Sequence, residues 1–546
     1  MHFSTLVGWL TAVSLGLAVI HSVAAYPVGP AISIDELTGH ADLICKVEVI
    51  GTKLVEDEWF DKLPGFLPHA TEMKIISVYQ GKSEHERFFF HHYAAGGKAR
   101  APGYMPQCYE FEAGRSYIVF AKASSNERIF RQIWKSHRSQ EDQGVVLAAS
   151  KEPHTGESIK EVIWRELSGH LKSKNDKEVI YGLSHLDTLS GGGYQKLNDF
   201  DRREVLEAFA PLLDHSSQEV VREAIRAIGS RNPYLSSDYA PFWLASIGAG
   251  EVHGFGKWDR SKTNLGGQTH WKKLAAIADG QAPAEIRSLA IKALGRAEVP
   301  QLLSHLERWA TEKEPAVRAS AVFLLADFPQ QADKRLIESA AGDKQAVVRA
   351  AAAQAIGYGQ FQQQVPLLAK LIDDPDLDVA RAAAMSLLSF SLESNRDILE
   401  KNVRHAEYGP LFVNSLATKD AQPYVDQLSD IIRHNRQPKN WWGGRVPWGV
   451  SWENLFRYAQ RQTSEKLKAG ELDKVLDALE IPSRGLENAP TYYSSSEPRD
   501  LYALYVQKGL TERAGSFRAA CKKALPYDID YYFKMVDENP ALYQRN

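Results

Sequence analysis

The spacing of apolar residues along the chain changes near residue 150. Before that point, apolar and polar residues alternate over short segments rich in β-branched and aromatic side chains. This alternation predicts strands at 41–50, 72–79, 87–93, 116–121 and 129–134. Five or six short strands within about 120 residues predict a small β-barrel.

From about residue 155 the pattern becomes helical, and a self-similar unit recurs. Its clearest copies cover 285–295, 316–326, 347–357 and 379–388, with an arginine at 287, 318, 349 and 381. Apolar or small residues within a copy, such as Val348, Ala352 and Ile356, share one helix face. An apolar partner helix precedes each copy. Two helices in every ~31 residues predict a stacked, right-handed superhelix.

These copies resemble HEAT repeats, in the short bacterial form also called PBS-lyase-like repeats. The pattern D-x-x-V-R-x-x-A-x-x-A-L-G is nearly intact from Asp343 to Gly357. The resemblance implies an armadillo-like α-solenoid in which the arginine bonds within the stack. Lyase activity does not follow from the repeat's name, since the sequence has no bilin-anchoring context.

The strand-rich segment resembles the OB-type barrel of secreted netrin-like and metalloproteinase-inhibitor-like domains. The segments that carry the resemblance are ADLICKVEVIG, EMKIISVYQGK and CYEFEAGRSYIVFAK. The inhibitors that share this barrel clamp an N-terminal cysteine on the zinc of their target. The expected mature N-terminus here is Tyr26-Pro27, so that inhibitory mechanism is not carried over.

Residues 1–25 are predicted to be a secretory signal peptide. An apolar stretch from Leu6 to Ile20 is followed by Val23-Ala24-Ala25, small residues of the kind that a signal peptidase reads. The alternative is a membrane anchor, but a spanning helix needs roughly 20 apolar residues. We therefore expect an extracytoplasmic protein, periplasmic or secreted, without a membrane span after cleavage.

The fold class is thus multidomain: a small OB-like β-barrel, an all-α HEAT-like superhelix and a helical C-terminal cap. The predicted boundaries are 1–25 for the signal peptide and 26–152 for the barrel. The solenoid follows at 153–400, interrupted by an insertion at 248–271, and a helical domain with a Trp-rich loop occupies 401–546.

Charge and cysteine content narrow the function classes. With 65 basic and 68 acidic residues the net charge is −3, which is unlike the basic footprint of a nucleic-acid-binding protein. Cys45 and Cys108 lie in the same strand-rich segment, so they either form a disulfide or are buried thiols, and Cys521 is left over. No Cys-x-x-Cys pair occurs, which excludes zinc ribbons.

Two segments break the regularity of the repeats. Residues 248–271 are Gly-rich, aromatic and basic, and 436–452 hold four of the 12 tryptophans. Indole rings beside an arginine suit sugars, peptides or aromatic groups. The candidate binding residues are Trp258, Trp271, Trp441, Trp442, Arg445, Trp448 and Trp452. The alternative is that these side chains pack their segments onto the array.

Catalytic and metal-binding signals are weak. No zinc-protease, nucleophile-elbow, phosphate-loop or dinucleotide motif is present, so no cofactor and no catalytic residue is expected. His253 and His270 with Asp259 do not have a recognised metal-ligand spacing. His91 and His92 are adjacent in a strand and point to opposite faces, which predicts one packed and one solvated imidazole.

Three functional interpretations follow. The first is a non-catalytic scaffold that binds a protein partner on the repeat surface. The second is a binding protein for a polysaccharide or peptide that uses the Trp-rich loops. The third is an enzyme of unrecognised type. Convergence of the two irregular segments on an open aromatic groove distinguishes the second interpretation from the first.

Overall fold

The computed structural model describes the chain in a series of ranges. These ranges are 32–61, 65–96, 107–134, 144–154, 156–191, 197–229, 268–295, 301–390, 392–434, 447–484, 496–525 and 529–539. The described residues form two compact units. The first, called here the N-terminal unit, holds the residues up to 229 together with 268–274, and the C-terminal unit holds those from 275 onward. The sequence placed a domain boundary between 152 and 153, and that boundary stays a prediction.

The N-terminal unit is built on one six-stranded sheet. Its strands are β1 (Leu43–Leu54), β2 (Phe66–Gln80), β3 (Arg87–Ala95), β4 (Ser116–Ala123), β5 (Ile129–Arg131) and β6 (Val145–Leu147). Strand β1 pairs with both β2 and β4, and the order β1-β2-β3-β5-β4 therefore returns to β1 as a ring. Strands β3 and β5 run parallel, the other neighbours antiparallel, and β6 extends the sheet from β4. The predicted strands and the sheet domain are confirmed.

The alternation that predicted the strands places one face of each strand in an apolar core. Cys45, Val47 and Val49 of β1 pack there with Val119 and Ala121 of β4. The opposite face of β1 carries the charged residue Lys46, which alternation would place in solvent. Lys46 is nevertheless fully buried. The cause is a layer of helices that covers the outside of the ring.

That layer consists of helices from both sides of the strands. Those that contact the strands are α1 (Ile34–His40), α2 (Ile159–His170) and α3 (Asp176–Leu189), and further helices of this unit follow: α4 (Arg202–Phe209), α5 (Gln218–Ile228) and the first half of α6 (Gln268–Asp279). A capping box between Ser158 and Glu161 starts α2. His170 of α2 and the Tyr181 hydroxyl of α3 bond to the backbone of Leu147, at 3.1 and 2.8 Å. Both helices are thereby anchored to the outer side of β6.

The C-terminal unit contains paired helices at the predicted repeat spacing. The first helices of the pairs are α8 (Leu302–Trp309), α10 (Lys334–Ala341), α12 (Val365–Leu371) and α14 (Leu392–Asn402). The second helices, which carry the predicted copies, are α7 (Ala284–Leu294), α9 (Pro315–Leu324), α11 (Ala346–Tyr358) and α13 (Leu377–Leu388). The Asp376 side chain caps the N-terminus of α13 by accepting from the backbone N–H groups of Asp378 and Val379. The helical repeat is confirmed.

Small residues allow neighbouring second helices to approach closely. Ala351, Ala352 and Ala355 of α11 are buried against the adjacent helices. At Gly357 even a methyl group is too large, because a Cβ there would lie 2.5 Å from the Cβ of Ser386 on α13. The glycine that ends the repeat pattern is therefore required by packing.

Helices continue to the C-terminal end of the described chain. They are α15 (Gly409–Ala417), α16 (Val425–Arg433), α17 (Pro447–Gln460), α18 (Ser464–Lys468), α19 (Asp473–Glu480), α20 (Ser496–Lys508), α21 (Thr511–Ala524) and α22 (Ile529–Glu538). Arg513 of α21 bonds to Glu480 and Asp477 of α19, which ties these two helices together. Within the described ranges, none of the helices combines the length and apolar character needed to cross a membrane.

Candidate functional site

Four of the seven candidate binding residues lie outside the described ranges. Trp258, Trp441, Trp442 and Arg445 belong to this group. Trp448 lies in the first turn of α17, but its side chain is not described. Whether 248–271 and 436–452 converge therefore falls outside the described residues, and the choice between the two binding interpretations stays open on this point.

The two candidate tryptophans whose side chains are described, Trp271 and Trp452, differ in exposure. Trp452 is fully buried, stacks on Phe456 and donates its indole N–H to the Leu479 carbonyl at 3.0 Å. This side chain packs α17 onto its neighbours, as the packing alternative predicts. Trp271 is half-buried on α6, with the Lys272 amine 5.9 Å from its ring centre.

The structure does not join Cys45 and Cys108, the candidate disulfide pair, and the disulfide stays a prediction. Both residues are thiols, and they sit beside different apolar clusters. Cys45 lies in the core of the strand ring, and Cys108 packs beside Phe60 and Tyr93. Burial raises the pKa of the Cys45 thiol, so it behaves as a small apolar side chain of the core.

The adjacent histidines of β3 are both buried, so the expectation of one solvated imidazole is wrong. His91 donates from Nδ1 to Asp57 at 2.7 Å, and Asp57 also pairs with Arg131. His92 accepts from the Thr71 hydroxyl at 2.8 Å and donates to the Tyr93 carbonyl at 3.1 Å. Asp57 lies in the loop before β2, and this loop covers His91, so that neither histidine is solvated.

None of these histidines belongs to a metal-binding group. Among the described residues, no cluster of three or more His, Cys, Asp or Glu side chains has the arrangement that a metal ion needs. His270, a metal candidate from the sequence, is buried with Nε2 at 2.6 Å from the Leu206 carbonyl. His253 and Asp259 lie outside the described ranges.

A buried ion pair joins the sheet to the first long helix. The Lys46 amine lies 2.6 Å from Glu166 Oε1 and also donates to the Glu152 carbonyl. Glu166 further accepts from His154 and from the backbone N–H of Ala149. Burial opposes ionisation of Glu166, but the hydrogen bonds from Lys46 and His154 outweigh it and hold its pKa below the ordinary value.

The repeat arginines form a ladder along the second helices. Three of the four each pair with an acid 25 residues further on: Arg287 with Glu312, Arg318 with Asp343 and Arg349 with Asp374. Arg318 and Arg349 hold their carboxylates through two nitrogen atoms.

The ladder is continuous from Arg287 to Asp374 because Glu312 and Asp343 each bond to two arginines. The Asp343 carboxylate accepts from Arg318, and its backbone carbonyl accepts from Arg349 at 2.9 Å. Glu312 is used in the same way by Arg287 and Arg318. The sequence predicted that the arginines bond within the stack, and it missed these acids. Glu312, Asp343 and Asp374 recur at the same period as the repeat arginines, and this regular spacing could have identified them in the sequence.

The second helices also carry apolar and amide side chains that reach solvent. Val347 is 52% exposed and Leu377 is 54% exposed, both in the first turn of their helices. Phe323, Gln354 and Tyr358 are half-buried, and the rings of Phe323 and Tyr358 lie 6.1 Å apart across α9 and α11. These five residues are called the second-helix surface. The only ionisable charges on α9 and α11 are Arg318 and Arg349, and the ladder neutralises both.

Comparison with known families identifies the repeats. The family model described as HEAT repeats matches residues 272–357 and 333–411. This segment of the chain therefore consists of HEAT repeats, in agreement with the sequence pattern. No curated protein matches the chain.

The chain also aligns with solved structures, among them YibA, a designed armadillo repeat protein and an engineered protein. The Escherichia coli protein YibA is 17% identical, with 56% of this chain and 91% of that chain covered and a TM-score of 0.34. A designed armadillo repeat protein in complex with the peptide (KR)4 is 20% identical, covers 41% of this chain and 98% of its own, and has a TM-score of 0.28. An engineered protein is 15% identical with coverage of 69% and 98% and a TM-score of 0.29. At such TM-scores the likeness carries no argument about this chain.

Proposed function

We propose that the protein is an exported, non-catalytic scaffold that binds a protein partner on its second-helix surface. HEAT repeats typically mediate protein–protein interaction. The observation that carries the proposal is the composition of α9 and α11, which expose Phe323, Val347 and Gln354 while their only charges are neutralised by the ladder. Cores of protein interfaces are likewise poor in charge and rich in aromatic residues.

The ladder also supports the proposal through rigidity. Side chains held on a fixed array lose less conformational entropy when a partner binds than side chains on a mobile surface do. A continuous row of ion pairs from Arg287 to Asp374 holds four second helices in a fixed register. This arrangement suits a binding platform and supplies no group for general acid–base chemistry.

Export and the barrel belong to the same proposal. The apolar stretch Leu6–Ile20 and the small residues before Tyr26 support a cleaved signal peptide. The ring order β1-β2-β3-β5-β4 supports an OB-type barrel. Edman sequencing of the protein recovered outside the cytoplasm tests the first point. A mature chain that begins at Tyr26 is expected, and recovery of the whole chain only from the cytoplasm contradicts export.

Site-specific photo-crosslinking tests the binding surface. A photoreactive residue at position 354 of the full chain should give a discrete adduct with one partner in the native extracytoplasmic extract. The matched control is the same residue at position 335, because Arg335 is 86% exposed on the first helix α10. Equal adducts from both positions, or none from 354, contradict a partner on the second helices.

The partner identified in this way then allows a quantitative test. Val347→Asp places a charge in the middle of the second-helix surface, and we expect the affinity for the purified partner to fall about tenfold or more. Lys344→Asp, at an exposed position before the same helix, is the control and should bind as the wild type does. Similar affinities for all three proteins contradict the proposed surface.

A further inference from the structure

The two carboxylate oxygens of Glu166 are held by two different sets of donors. Oε1 lies 2.6 Å from the Lys46 amine and 2.6 Å from Nε2 of His154. Oε2 accepts from the backbone N–H groups of Ala149 and Ser150, at 2.7 and 3.2 Å. The carboxylate therefore has an amine against one oxygen and a pair of fixed N–H dipoles against the other.

The Lys46 amine is held in place and is shielded from water. Besides Glu166, it donates to the Glu152 carbonyl at 2.7 Å and to the Ser150 hydroxyl at 3.3 Å. The side chains of Lys46 and Glu166 are 0% and 2% exposed. Contacts that converge on one nitrogen fix it against the carboxyl group, and such fixed proximity greatly raises the effective concentration of two reacting groups.

The position of the proton on the His154 ring follows from its neighbours. Arg165 has only donors, and its guanidinium lies 3.2 Å from His154 Nδ1, so Nδ1 is the acceptor. In the neutral imidazole the other nitrogen, Nε2, then carries the proton and donates to Glu166 Oε1. This donor favours Oε1 as a leaving oxygen, while the two N–H groups at Oε2 stabilise negative charge there.

We propose that Lys46 and Glu166 condense into an amide, a covalent cross-link between β1 and α2. A proton passes from the Lys46 ammonium to Oε1 across their hydrogen bond. The lone pair of the neutral amine then forms a bond to the Glu166 carboxyl carbon, and charge develops on Oε2 against its two N–H donors. A second proton moves from the nitrogen to Oε1, the C–Oε1 bond breaks, and Oε1 leaves as water. One ammonium and one carboxylate thus give one amide and one water, without an oxidant or a co-reactant.

Burial favours the amide over the ion pair, which is the state before the bond forms. Two charges taken out of water lose hydration that their mutual attraction returns only in part, whereas an amide carries no charge. The surface pair of Lys160 and Asp35 provides the contrast. Its N–O distance is 2.7 Å, but Asp35 is 78% exposed. Water stabilises both charges of this pair, so a similar distance should give no reaction.

The bond has a consequence for the stability of the N-terminal unit. Lys46 and Glu166 are 120 positions apart in sequence, so their cross-link closes a long loop. Closing a long loop removes conformational entropy from the unfolded chain and favours the folded state. The cross-link would stabilise this unit without a disulfide.

Mass spectrometry of the denatured full-length protein tests the inference. After overnight incubation of the folded protein, we expect a mass below the calculated value by one water. Proteolysis should give a branched peptide that joins the segments around Lys46 and Glu166. Lys46→Arg keeps a positive charge but lacks the amine, so its mass should equal the calculated value. Lys160→Arg is the matched control, and it should lose one water as the wild type does.

Two results overturn the inference. The first is a wild-type protein of the calculated mass, with Lys46 and Glu166 in separate linear peptides. The second is a loss of water that persists in Lys46→Arg or maps to another pair, such as Lys160 and Asp35. A cooperative thermal transition of the wild type shows that the tested protein is folded, so the test does not depend on how a variant folds. The proposed function does not rest on this bond, and adduct formation at position 354 tests it separately.

Discussion

Removal of a ladder arginine is expected to open the second helices locally. Arg349→Ala deletes two hydrogen bonds to the Asp374 carboxylate, at 2.7 and 2.8 Å, and two to the carbonyls of Asp343 and Lys344. Asp374 is 7% exposed, so its charge is left buried without a counter-ion. Breaking a buried ion pair costs about 3–5 kcal/mol. Because Arg349 itself is 16% exposed, we expect about 3 kcal/mol.

Hydrogen exchange measured on the full chain resolves this local effect. Amides of Ala346–Tyr358 and of the first turn of α13 should exchange about a hundredfold faster in Arg349→Ala than in the wild type. Arg381→Ala is the internal control, because it removes only the exposed pair with Asp378 and should change exchange less than about threefold. Equal effects of the two substitutions would refute the reasoning that burial and the inter-repeat acid give the ladder its strength.

The same rung has a defined pH dependence. Hydrogen bonds from Arg349 hold the pKa of Asp374 below its ordinary value. The unfolded chain therefore binds a proton more readily than the folded chain, and the contribution of the rung is present above the unfolded pKa of about 4. It is lost as the pH falls through the lower folded pKa. The Arg349→Ala protein should lack this part of the acid dependence.

Three further changes have defined outcomes. Burial lowers the pKa of His92 to about 3, so at pH 5 the unfolded chain is protonated at this residue and the free energy of unfolding should fall by about 2 kcal/mol. His92→Gln should abolish that loss, as measured by urea titrations at several pH values. An unchanged dependence of the unfolding free energy on pH contradicts the assignment. Lys46→Met leaves Glu166 buried without its counter-ion and should lower the free energy of unfolding by about 3 kcal/mol. The double mutant Lys46→Met/Glu166→Gln should recover part of that loss. If the losses of the two single mutants simply add in the double mutant, the two residues are not coupled. Alkylation of unreduced, denatured protein should label both Cys45 and Cys108 in the mass spectrum, and protection of the two together reveals a disulfide.

The repeats were predictable because each copy has the same local pattern of apolar spacing and turn residues. Apolar residues such as Val348 and Ile356 recur at helical spacing, and Asp376 caps α13 where the sequence places a turn. Strand positions were predictable for a similar reason, since alternation in β1 and β4 reflects one face in the core. Both signals are local, and tertiary contacts did not override them.

The residues at the helix–sheet junction were not predictable from local pattern. Lys46 occupies a position that alternation assigns to solvent, and only the packing of α2 over the ring buries it beside Glu166, which is 120 residues away in sequence. His91 is covered for a comparable reason, by the loop that carries Asp57. Such contacts depend on which helix covers which strand face, information that a single segment does not contain.

The closed order of the strands has a consequence for how copies of the protein behave in concentrated solution. Open sheet edges present unpaired N–H and C=O groups and promote aggregation through strand addition. In the described sheet, β1 to β5 pair on both sides, and the outer side of the short β6 is occupied at Leu147 by His170 and Tyr181. The ring order therefore covers much of the strand edge in the described N-terminal unit, which limits amyloid-like association between copies of the protein.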